Sequence, residues 1–381
     1  MPQSDLLERA RLMLPAMVDA VEALVTLESP TADLDACGSV AQEAIGILAG
    51  WLPAPARVEV HDGRPVWRWG PEQPRVLLLG HLDTVWPIGT LRRLPFTADG
   101  ERMTGPGVFD MKAGAVQGWA ALVLAGVTDD AGVGMLLTTD EETGSQASRG
   151  VISAAIERAD AVLVLEPSVG GALKTGRKGT SWYTVDFVGR AAHAGLDPER
   201  GVNAIVAAAE FVASAATLAD PPAGTTVTPT TMLAGTTSNT VPALATLSLD
   251  VRAWSRSEQE RIDRAVRGWR SEATTAGITV AGGIDRPALE ADSSERLFAL
   301  ARACAASIGL PDLEGRSVGG ASDGNLTAAA GVATLDGLGA VGDGAHADHE
   351  WASIPAMAER AALVAALIGA LADSPVNPPT P

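Results

Sequence analysis

Residues 76–85 read Val-Leu-Leu-Leu-Gly-His-Leu-Asp-Thr-Val, and this stretch decides the fold. Its apolar run, 76–79, predicts a buried strand that delivers His81 and Asp83 to the end of a sheet. Because residues two apart on an extended chain share a face, these two side chains emerge together. An imidazole can ligate a metal ion while a neighbouring carboxylate fixes the ring. The pair indicates a metal site, although a lone His-x-Asp is weak evidence by itself.

Carboxylates follow two further predicted strands at the corresponding point. Strand 134–139 ends in the acidic residues 140–142, and a later strand ends in Glu166. Ligands bind at the carboxyl edge of parallel sheets. Adjacent carboxylates repel one another unless a cation offsets them, although a solvated acidic loop would also explain the run. Glu141 and Glu142 can divide roles, one ligating a metal and the other handling the proton of a water.

Two glycine-bounded stretches supply the remaining metal candidates. Asp110 lies in Gly-Pro-Gly-Val-Phe-Asp-Met-Lys-Ala-Gly, directly before a predicted helix, where it can act as an N-cap. An aspartate with both oxygens available can also bridge two cations about 3.5 to 4 Å apart. Near the end of the chain, His346 and His349 lie in Gly-Ala-His-Ala-Asp-His-Glu-Trp, and either can serve as a ligand.

Composition restricts the class of protein. The chain has 381 residues, of which 46% are hydrophobic and only 4% aromatic, and this favours helices packed on a largely parallel sheet. A formal net charge of −18 argues against a nucleic-acid partner. Cys37 and Cys304 lie in no metal-binding spacing and imply no disulfide framework. The first 22 residues lack the apolar core of a signal peptide, so we expect a cytoplasmic protein without a membrane span.

The pattern of elements predicts two α/β domains. Residues 1–177 and 288–373 alternate strands with Ala-rich helices and are expected to form a catalytic domain with a mixed, largely parallel sheet. Residues 178–287 follow the order β-α-β-β-α-β of an α+β ferredoxin-like domain, inserted as a lid with an exposed edge suited to dimerisation. The proline-rich tail, 374–381, is predicted to be disordered.

Taken in this order, these motifs resemble the paired-zinc metallopeptidases, a family that includes glutamate carboxypeptidases, aminoacylases, acetylornithine deacetylase and succinyl-diaminopimelate desuccinylase. The resemblance covers nearly the whole chain and is closest to the glutamate carboxypeptidase branch. It implies that His81 and Glu166 hold one zinc ion and that Glu142 and His346 hold the other, with Asp110 bridging both. Cobalt or manganese can occupy such a site as well.

The resemblance also implies roles for residues that are not metal ligands. Asp83 would orient His81, and Glu141 would be the general base that activates a bridging water. His193 would reach across a homodimer to the partner's reaction intermediate. The peptide bond after Asp110 would be cis. The expected substrate-binding residues are Asn239, Arg252, Arg316, Gly319 and Gly320.

One departure from the family pattern concerns specificity. The glutamate-specific enzymes carry a lysine after the Glu-Pro motif that reads the side-chain carboxylate of the substrate, and the best register places Ala172 there. Lys174 or Arg177 can substitute for it, or the substrate does not end in glutamate.

The sequence as a whole predicts a metal-dependent hydrolase that cleaves the amide bond before a C-terminal amino acid. N-acyl amino acids and short peptides with a free carboxylate are the expected substrates. Within this class the alternative is an aminoacylase or N-acetyl amino acid deacetylase. A noncatalytic metal-binding scaffold is an alternative of a different class. An oxidoreductase with a cofactor loop at 319–324 is disfavoured because the loop lacks a dinucleotide fingerprint.

Overall fold

The computed structural model describes residues 5–52, 55–128 and 131–373. The predicted disordered tail, 374–381, lies outside the described residues. The chain divides into two compact units. The first runs up to Gly176 and also includes Ala291–Ser317 and the chain from Ser322 onward, and the second consists of Arg177–Glu290 and Val318–Ala321. The second unit thus gains residues 177, 288–290 and 318–321 relative to the predicted insertion, and its role as a dimerisation domain stays a prediction.

The strands of the described chain build sheets in both units. Along the chain they are β1 (Arg57–His61), β2 (Arg64–Trp69), β3 (Val76–His81), β4 (Thr97–Ala98), β5 (Arg102–Thr104), β6 (Val133–Thr138), β7 (Ala161–Val164), β8 (Leu173–Arg177), β9 (Gly179–Val188), β10 (Thr226–Ala234), β11 (Leu244–Ala253), β12 (Gly277–Arg286), β13 (Gly315–Val318), β14 (Ala333–Leu335), β15 (Gly342–Asp343) and β16 (Trp351–Ser353).

The helices are longer on average than the strands. They are α1 (Leu6–Thr26), α2 (Leu34–Leu48), α3 (Ala113–Ala125), α4 (Arg149–Ile156), α5 (Ala204–Ala216), α6 (Arg256–Gly268), α7 (Asp292–Ser307), α8 (Asp323–Ala329) and α9 (Ile354–Asp373).

The main sheet of the first unit has six strands in the order β1-β2-β6-β3-β7-β14. Strands β6, β3, β7 and β14 run parallel, whereas β1 and β2 pair antiparallel at one edge. Strand β3 is buried on both faces because its side chains alternate between two cores. Leu78 belongs to the core shared with α1, α3 and α9, and Leu77 and Leu79 belong to the core shared with α4. The predicted α/β class with a mixed, largely parallel sheet is confirmed.

Helix α9 is the most apolar long helix of the first unit. By length and composition, Ile354–Ala372 would suit a membrane span, but 72% of its most apolar window is buried. It packs against α1, α3 and α7. Burial of this kind makes α9 a core helix.

The second unit contains one antiparallel sheet in the order β10-β11-β9-β12. Helices α5 and α6 cover one face, where Phe187 and Phe211 pack with ring centroids 5.7 Å apart. The chain order β9-α5-β10-β11-α6-β12 is the predicted ferredoxin-like order. Strand β10 lies at an edge, and its residues Met232 and Leu233 are exposed.

Helix α3, which follows the loop that carries Asp110, packs closely against the chain at the end of β7. A Cβ atom added to Gly114, in the first turn of α3, would lie only 2.2 Å from the carbonyl oxygen of Leu165. Leu165 directly follows β7, so the missing side chain lets α3 lie against the functional end of the sheet. Gly150 of α4 has no such neighbour, since a Cβ there would meet no atom within 4 Å.

We therefore expect Gly114→Ala to lower the free energy of unfolding by about 1 to 3 kcal/mol, because the added methyl group overpacks a rigid backbone contact. Gly150→Ala is the matched control and should leave stability unchanged or slightly higher, since alanine is favoured in helices. Urea unfolding followed by circular dichroism measures both variants. Equal stability of the two would show that α3 shifts freely away from β7.

Candidate metal centre

Three neighbouring parallel strands end at the same edge of the sheet and present candidate ligands. His81 is the last residue of β3, Glu141 and Glu142 follow β6, and Glu166 follows β7. The ligand atoms of His81, Glu141 and Glu166 lie within 4.8 Å of one another, and so do those of His81, Asp110 and Glu142. The sheet topology therefore brings the predicted ligands together.

Asp110 faces two histidines with its two carboxylate oxygens. Oδ1 lies 3.3 Å from His81 Nε2, and Oδ2 lies 3.4 Å from His346 Nε2. Each histidine has a second carboxylate nearby: Glu166 Oε1 is 3.6 Å from His81 Nε2, and Glu142 Oε2 is 3.1 Å from His346 Nε2. One carboxylate between two imidazole–carboxylate pairs is the arrangement of a ligand that bridges two cations.

The ring of His81 is fixed from behind by Asp83. Its Nδ1 lies 3.0 Å from the Asp83 carbonyl oxygen and 3.4 Å from the Asp83 carboxylate. Asp83 is fully buried and also accepts a hydrogen bond of 2.7 Å from Thr31 Oγ1. The backbone N–H groups of Glu141 and Glu142 point to the same carboxylate at 3.4 and 3.3 Å. Asp83 thus links the loop after β3 to the loop after β6.

Hydrogen bonds turn one of the three acidic residues after β6 away from the cluster. Asp140 turns toward the start of α4, where its carboxylate accepts from the backbone N–H of Ala147 at 2.9 Å and from the Ser148 hydroxyl. Glu141 is buried and Glu142 faces His346. Only two of the three carboxylates therefore belong to the cluster.

The loop before α9 brings His346 to the cluster. His346 has a positive φ of 62°, which is uncommon for a residue other than glycine. His349 is exposed and lines a separate groove of about 350 Å³ together with Leu94 and Trp351. Of the two histidines left open by the sequence, His346 is the one placed against Asp110 and Glu142.

The loop that carries Asp110 is anchored to α1 by Lys112. This buried side chain donates hydrogen bonds of 2.8 Å to the carbonyl oxygens of Leu24 and Leu27 at the end of α1. Carbonyl groups at a helix C-terminus lack intrahelical partners, and a cation is favourable there. Burial lowers the pKa of Lys112 to about 7. The peptide bond Asp110–Met111 is cis, as the resemblance implied.

A lysine stands beside the Glu166 end of the cluster. Lys174 Nζ lies 3.7 Å from Glu166 Oε2, and its side chain is 11% exposed. Ala172, where the best register placed the specificity lysine, instead lines a pocket with Leu310 and Arg360. Of these two residues, Lys174 is therefore the one that the structure places beside a candidate metal ligand.

The cluster is suited to bind metal ions. Among the described residues, His81 Nε2, Asp110 Oδ1 and Glu142 Oε1 are buried atoms without a hydrogen-bond partner. Buried polar atoms of this kind are costly unless a ligand satisfies them. Imidazole nitrogens combined with carboxylate oxygens are a donor set that zinc accepts. The residues present therefore fit the expected metal ions.

In the metal-free protein, the carboxylates stabilise protons on the two histidines. Contacts with Asp110 and Glu142 raise the pKa of His346 to about 10. Burial lowers the pKa of His81, but the carboxylates of Asp110, Asp83 and Glu166 outweigh it and raise that pKa well above its usual value. Burial raises the pKa of Asp110, but contacts with His346 and His81 lower this pKa by more than burial raises it. The net shift is therefore downward.

The other predicted site residues lie outside this cluster or in the second unit. His193 is exposed in the second unit, where its Nδ1 accepts from the N–H groups of Gly195 and Leu196 at 3.1 Å. The proton of a neutral ring is then on Nε2, which can donate. The Asn239 carbonyl oxygen accepts from Ala194, which lies next to His193 in the chain.

The predicted carboxylate-binding arginines have acidic partners that sequence reasoning missed. Arg252 donates to both oxygens of Asp250 at 2.8 Å. Arg316 pairs with Glu314 at 2.9 Å in the first unit. In the second unit, the Gly320 carbonyl oxygen accepts from Arg177 at 3.1 Å, and an added Cβ at Gly319 would meet no atom within 4 Å. Asp250 and Arg252 both lie on β11, where residues two apart share a face, and this was the available signal for that pair.

The chain is similar to known peptidases in sequence and in fold. The model of peptidase family M20/M25/M40 matches residues 77–370. Carboxypeptidase G2 of Pseudomonas sp. (strain RS-16) is 32% identical over 378 residues, covering 93% of this chain and 89% of that protein. An acetylornithine deacetylase of Yersinia pseudotuberculosis serotype I is 30% identical over 217 residues, covering 51% of this chain and 54% of its own length. The solved aminopeptidase PepT of Bacillus cereus has the same fold, with a TM-score of 0.70 at 20% identity, covering 93% of this chain and 98% of its own.

The raised histidine pKa values predict that metal binding releases protons. At pH 7 His346 carries a proton that it must lose to become a ligand, because its pKa is about 10. Apparent metal affinity should therefore rise as the pH increases from 7 toward 10.

The ion contacts of protonated His346 stabilise the metal-free fold below the unfolded-state pKa near 6.5, and this contribution is lost as the pH rises through about 10.

Calorimetric titration of chelator-treated protein with Zn²⁺, in buffers of different ionisation enthalpy, measures the number of protons released. A buffer-independent binding enthalpy at pH 7 would contradict the prediction, since it would mean that no proton leaves the site.

Proposed function

Because the chain belongs to peptidase family M20/M25/M40 and is a hydrolytic enzyme, we propose that it cleaves the amide bond before a C-terminal amino acid that bears a free carboxylate. The family assignment confirms the resemblance drawn from the motifs. The observation that supports the proposal most strongly is Asp110, whose two oxygens face His81 and His346. A noncatalytic scaffold is inconsistent with the family assignment.

The proposed cofactors are two zinc ions per chain. His81 and Glu166 would hold one ion, Glu142 and His346 would hold the other, and Asp110 would contact both. Once bound, the two ions supply Lewis acidity, which lowers the pKa of the attacking water and polarises the amide carbonyl. The carboxylates offset the charge of the ions, and Asp83 keeps the ring of His81 in its ligating orientation.

Glu141 is the proposed general base. It is buried next to the ligand atoms of His81 and Glu166, whereas its neighbour Glu142 is engaged with His346. A carboxylate in this position accepts a proton from the attacking water and then delivers it to the nitrogen of the leaving amine. Its backbone N–H points to Asp83 at 3.4 Å, so the loop that carries the base is held by the same group that orients His81.

Lys174 is the proposed recognition residue for an acidic substrate. Its ammonium group is nearly buried beside Glu166, and a substrate carboxylate there would gain a charge-assisted hydrogen bond. Arg252 is less suited to this task because Asp250 occupies its guanidinium in bidentate fashion at 2.8 Å, a tighter pairing than the 3.7 Å contact of Lys174 with Glu166. We propose N-acyl amino acids and short peptides ending in an acidic residue as the preferred substrates.

An N-acetyl amino acid deacetylase is the second candidate function, favoured by the similarity to the acetylornithine deacetylase over half of each chain. Both functions use the same hydrolytic chemistry. They differ in the acyl group and in the side chain of the released amino acid.

A homodimer through the second unit is part of the proposal. The edge strand β10 leaves Leu233 77% exposed, and Leu244 on the neighbouring strand is 65% exposed. An apolar sheet edge of this kind can pair with a second copy. His193, with its donor Nε2, would then serve the partner's site by stabilising an oxyanion. We further propose that the enzyme is cytoplasmic.

The proposed function predicts chelator-sensitive hydrolysis that depends on Glu141. The purified protein should hydrolyse N-acyl-glutamate faster than N-acetyl amino acids with apolar side chains or neutral dipeptides, and a chelator should abolish turnover. Glu141→Gln should bind two metal ions per chain and lose at least about 100-fold in kcat, because the amide cannot accept the proton. Amino acid release and metal analysis measure these properties.

The matched control is Glu157→Gln, at a surface glutamate that accepts a hydrogen bond from Gln73. It should retain full activity. Turnover by Glu141→Gln at the wild-type rate would exclude Glu141 as the base. A preference of the wild type for apolar acetyl substrates would instead support the deacetylase.

Lys174→Met tests the basis of specificity. Loss of a charged hydrogen bond of about 1.5 to 3 kcal/mol should lower kcat/KM for N-acyl-glutamate roughly 10- to 100-fold. Substrates with apolar side chains should be little affected, and kinetics at saturating Zn²⁺ measure both. Lys178→Met is the matched control, because Lys178 stacks on Trp254 in the second unit. Equal losses on all substrates would show that Lys174 acts through Glu166 rather than on the substrate.

A further inference from the structure

The buried carboxylate of Glu350 accepts hydrogen bonds from four N–H groups. Its Oε1 accepts from the backbone N–H of Phe109 at 2.9 Å and of Asp110 at 3.1 Å. Its Oε2 accepts from Trp86 Nε1 at 2.9 Å and from the backbone N–H of Gly107 at 3.0 Å. The residue is only 2% exposed. All four donors belong to segments that flank candidate metal ligands.

These hydrogen bonds join three ligand-bearing segments that are far apart in the sequence. Trp86 lies five residues after His81, and Asp110 is itself one of the donors. Glu350 lies four residues after His346. A single side chain therefore connects the loop of the first histidine, the loop of the bridging aspartate and the loop of the second histidine.

The contact with the bridging aspartate is the most direct of the four. The backbone N–H of Asp110 is held, and so are those of Phe109 and Gly107 before it, so the main chain that aims the carboxylate is fixed on one side by Glu350. On the other side, Lys112 is tied to the end of α1. The Asp110 loop is thus held between the carboxylate of Glu350 and the amino group of Lys112.

From this geometry we infer that Glu350 is a positioning residue of the metal centre, which sets the orientation of Asp110 relative to His81 and His346. The inference rests on the proposed function, since it assumes that Asp110 bridges two metal ions. Glu350 ligates no metal in this arrangement, because both of its oxygens already accept two hydrogen bonds. Outer groups that orient ligands commonly contribute 10- to 100-fold to metal affinity.

Glu350→Gln distinguishes positioning from simple space filling. Glutamine has nearly the same shape, but its NH₂ group must face one of the two donor pairs and cannot accept from it. Whichever way the amide turns, one pair of N–H groups loses its acceptor, either Trp86 with Gly107 or Phe109 with Asp110. The Asp110 loop should then shift while the rest of the core stays packed.

The experiment is calorimetric titration of the full-length, chelator-treated protein with Zn²⁺. We expect Glu350→Gln to weaken the binding of at least one ion roughly 10- to 100-fold. Saturating Zn²⁺ should restore part of the lost activity. Trp86→Phe removes one donor and leaves the carboxylate in place, so its loss of affinity should be smaller but in the same direction.

Glu210→Gln is the matched control. Glu210 also accepts several hydrogen bonds that organise a loop, from the Ser271 hydroxyl at 2.6 Å and from the N–H of Glu272 at 3.0 Å, but it lies in the second unit. The same chemical change there should leave metal affinity unchanged. Thermal unfolding of the chelated proteins measures any general loss of stability in each variant.

Wild-type affinity for both ions in Glu350→Gln and in Trp86→Phe would overturn the inference, as would a loss of stability in the chelated form without a change in affinity. If Glu350→Gln fails to fold, Trp86→Phe alone decides. Failure of the proposed function is a distinct result, because the wild-type protein would then bind no pair of metal ions at all.

Discussion

Buried carboxylates can remain ionised side by side only where positive charge offsets them, and the first unit is arranged around this constraint. Asp110, Glu142 and Glu166 converge where three parallel strands end. Without metal ions, the balancing charge comes from protons on His81 and His346, whose pKa values are raised, and from the Lys174 ammonium beside Glu166. Metal ions would satisfy the same requirement with more positive charge and without protons. The same cluster of side chains can therefore bind either protons or metal ions.

The positions of the ligands could be predicted because they depend on local pattern and simple topology. Parallel strands have their carboxyl ends at one edge of a sheet, so polar residues that follow buried apolar strands meet at that edge. Strands β3, β6 and β7 follow this rule, so His81, Glu142 and Glu166 converge with no further information. Asp110 and His346 lie on loops whose paths no periodicity fixes. Their residue types made them metal candidates, but the choice of His346 over His349 and the pairing of ligands with each ion came from the family resemblance.

The remaining features depend on contacts between distant parts of the chain. Nothing near Glu350 in the sequence indicates that its acceptors will meet N–H groups more than 200 residues away. Likewise, nothing in the acidic run 140–142 indicates that Asp140 turns toward the start of α4. Lys174 could be named only as one of two substitutes, because its distance to Glu166 depends on how β8 leaves the site.

The two anchors of the Asp110 loop have a consequence for how the site is assembled. Both use hydrogen bonds to backbone groups, so the loop is held in place by main-chain atoms that exist whatever residue occupies position 110. Anchors of this kind restrict the arrangements open to the loop, and this lowers the ordering cost of binding an ion there. A loop ordered by a metal ion alone would instead lose its structure together with the ion.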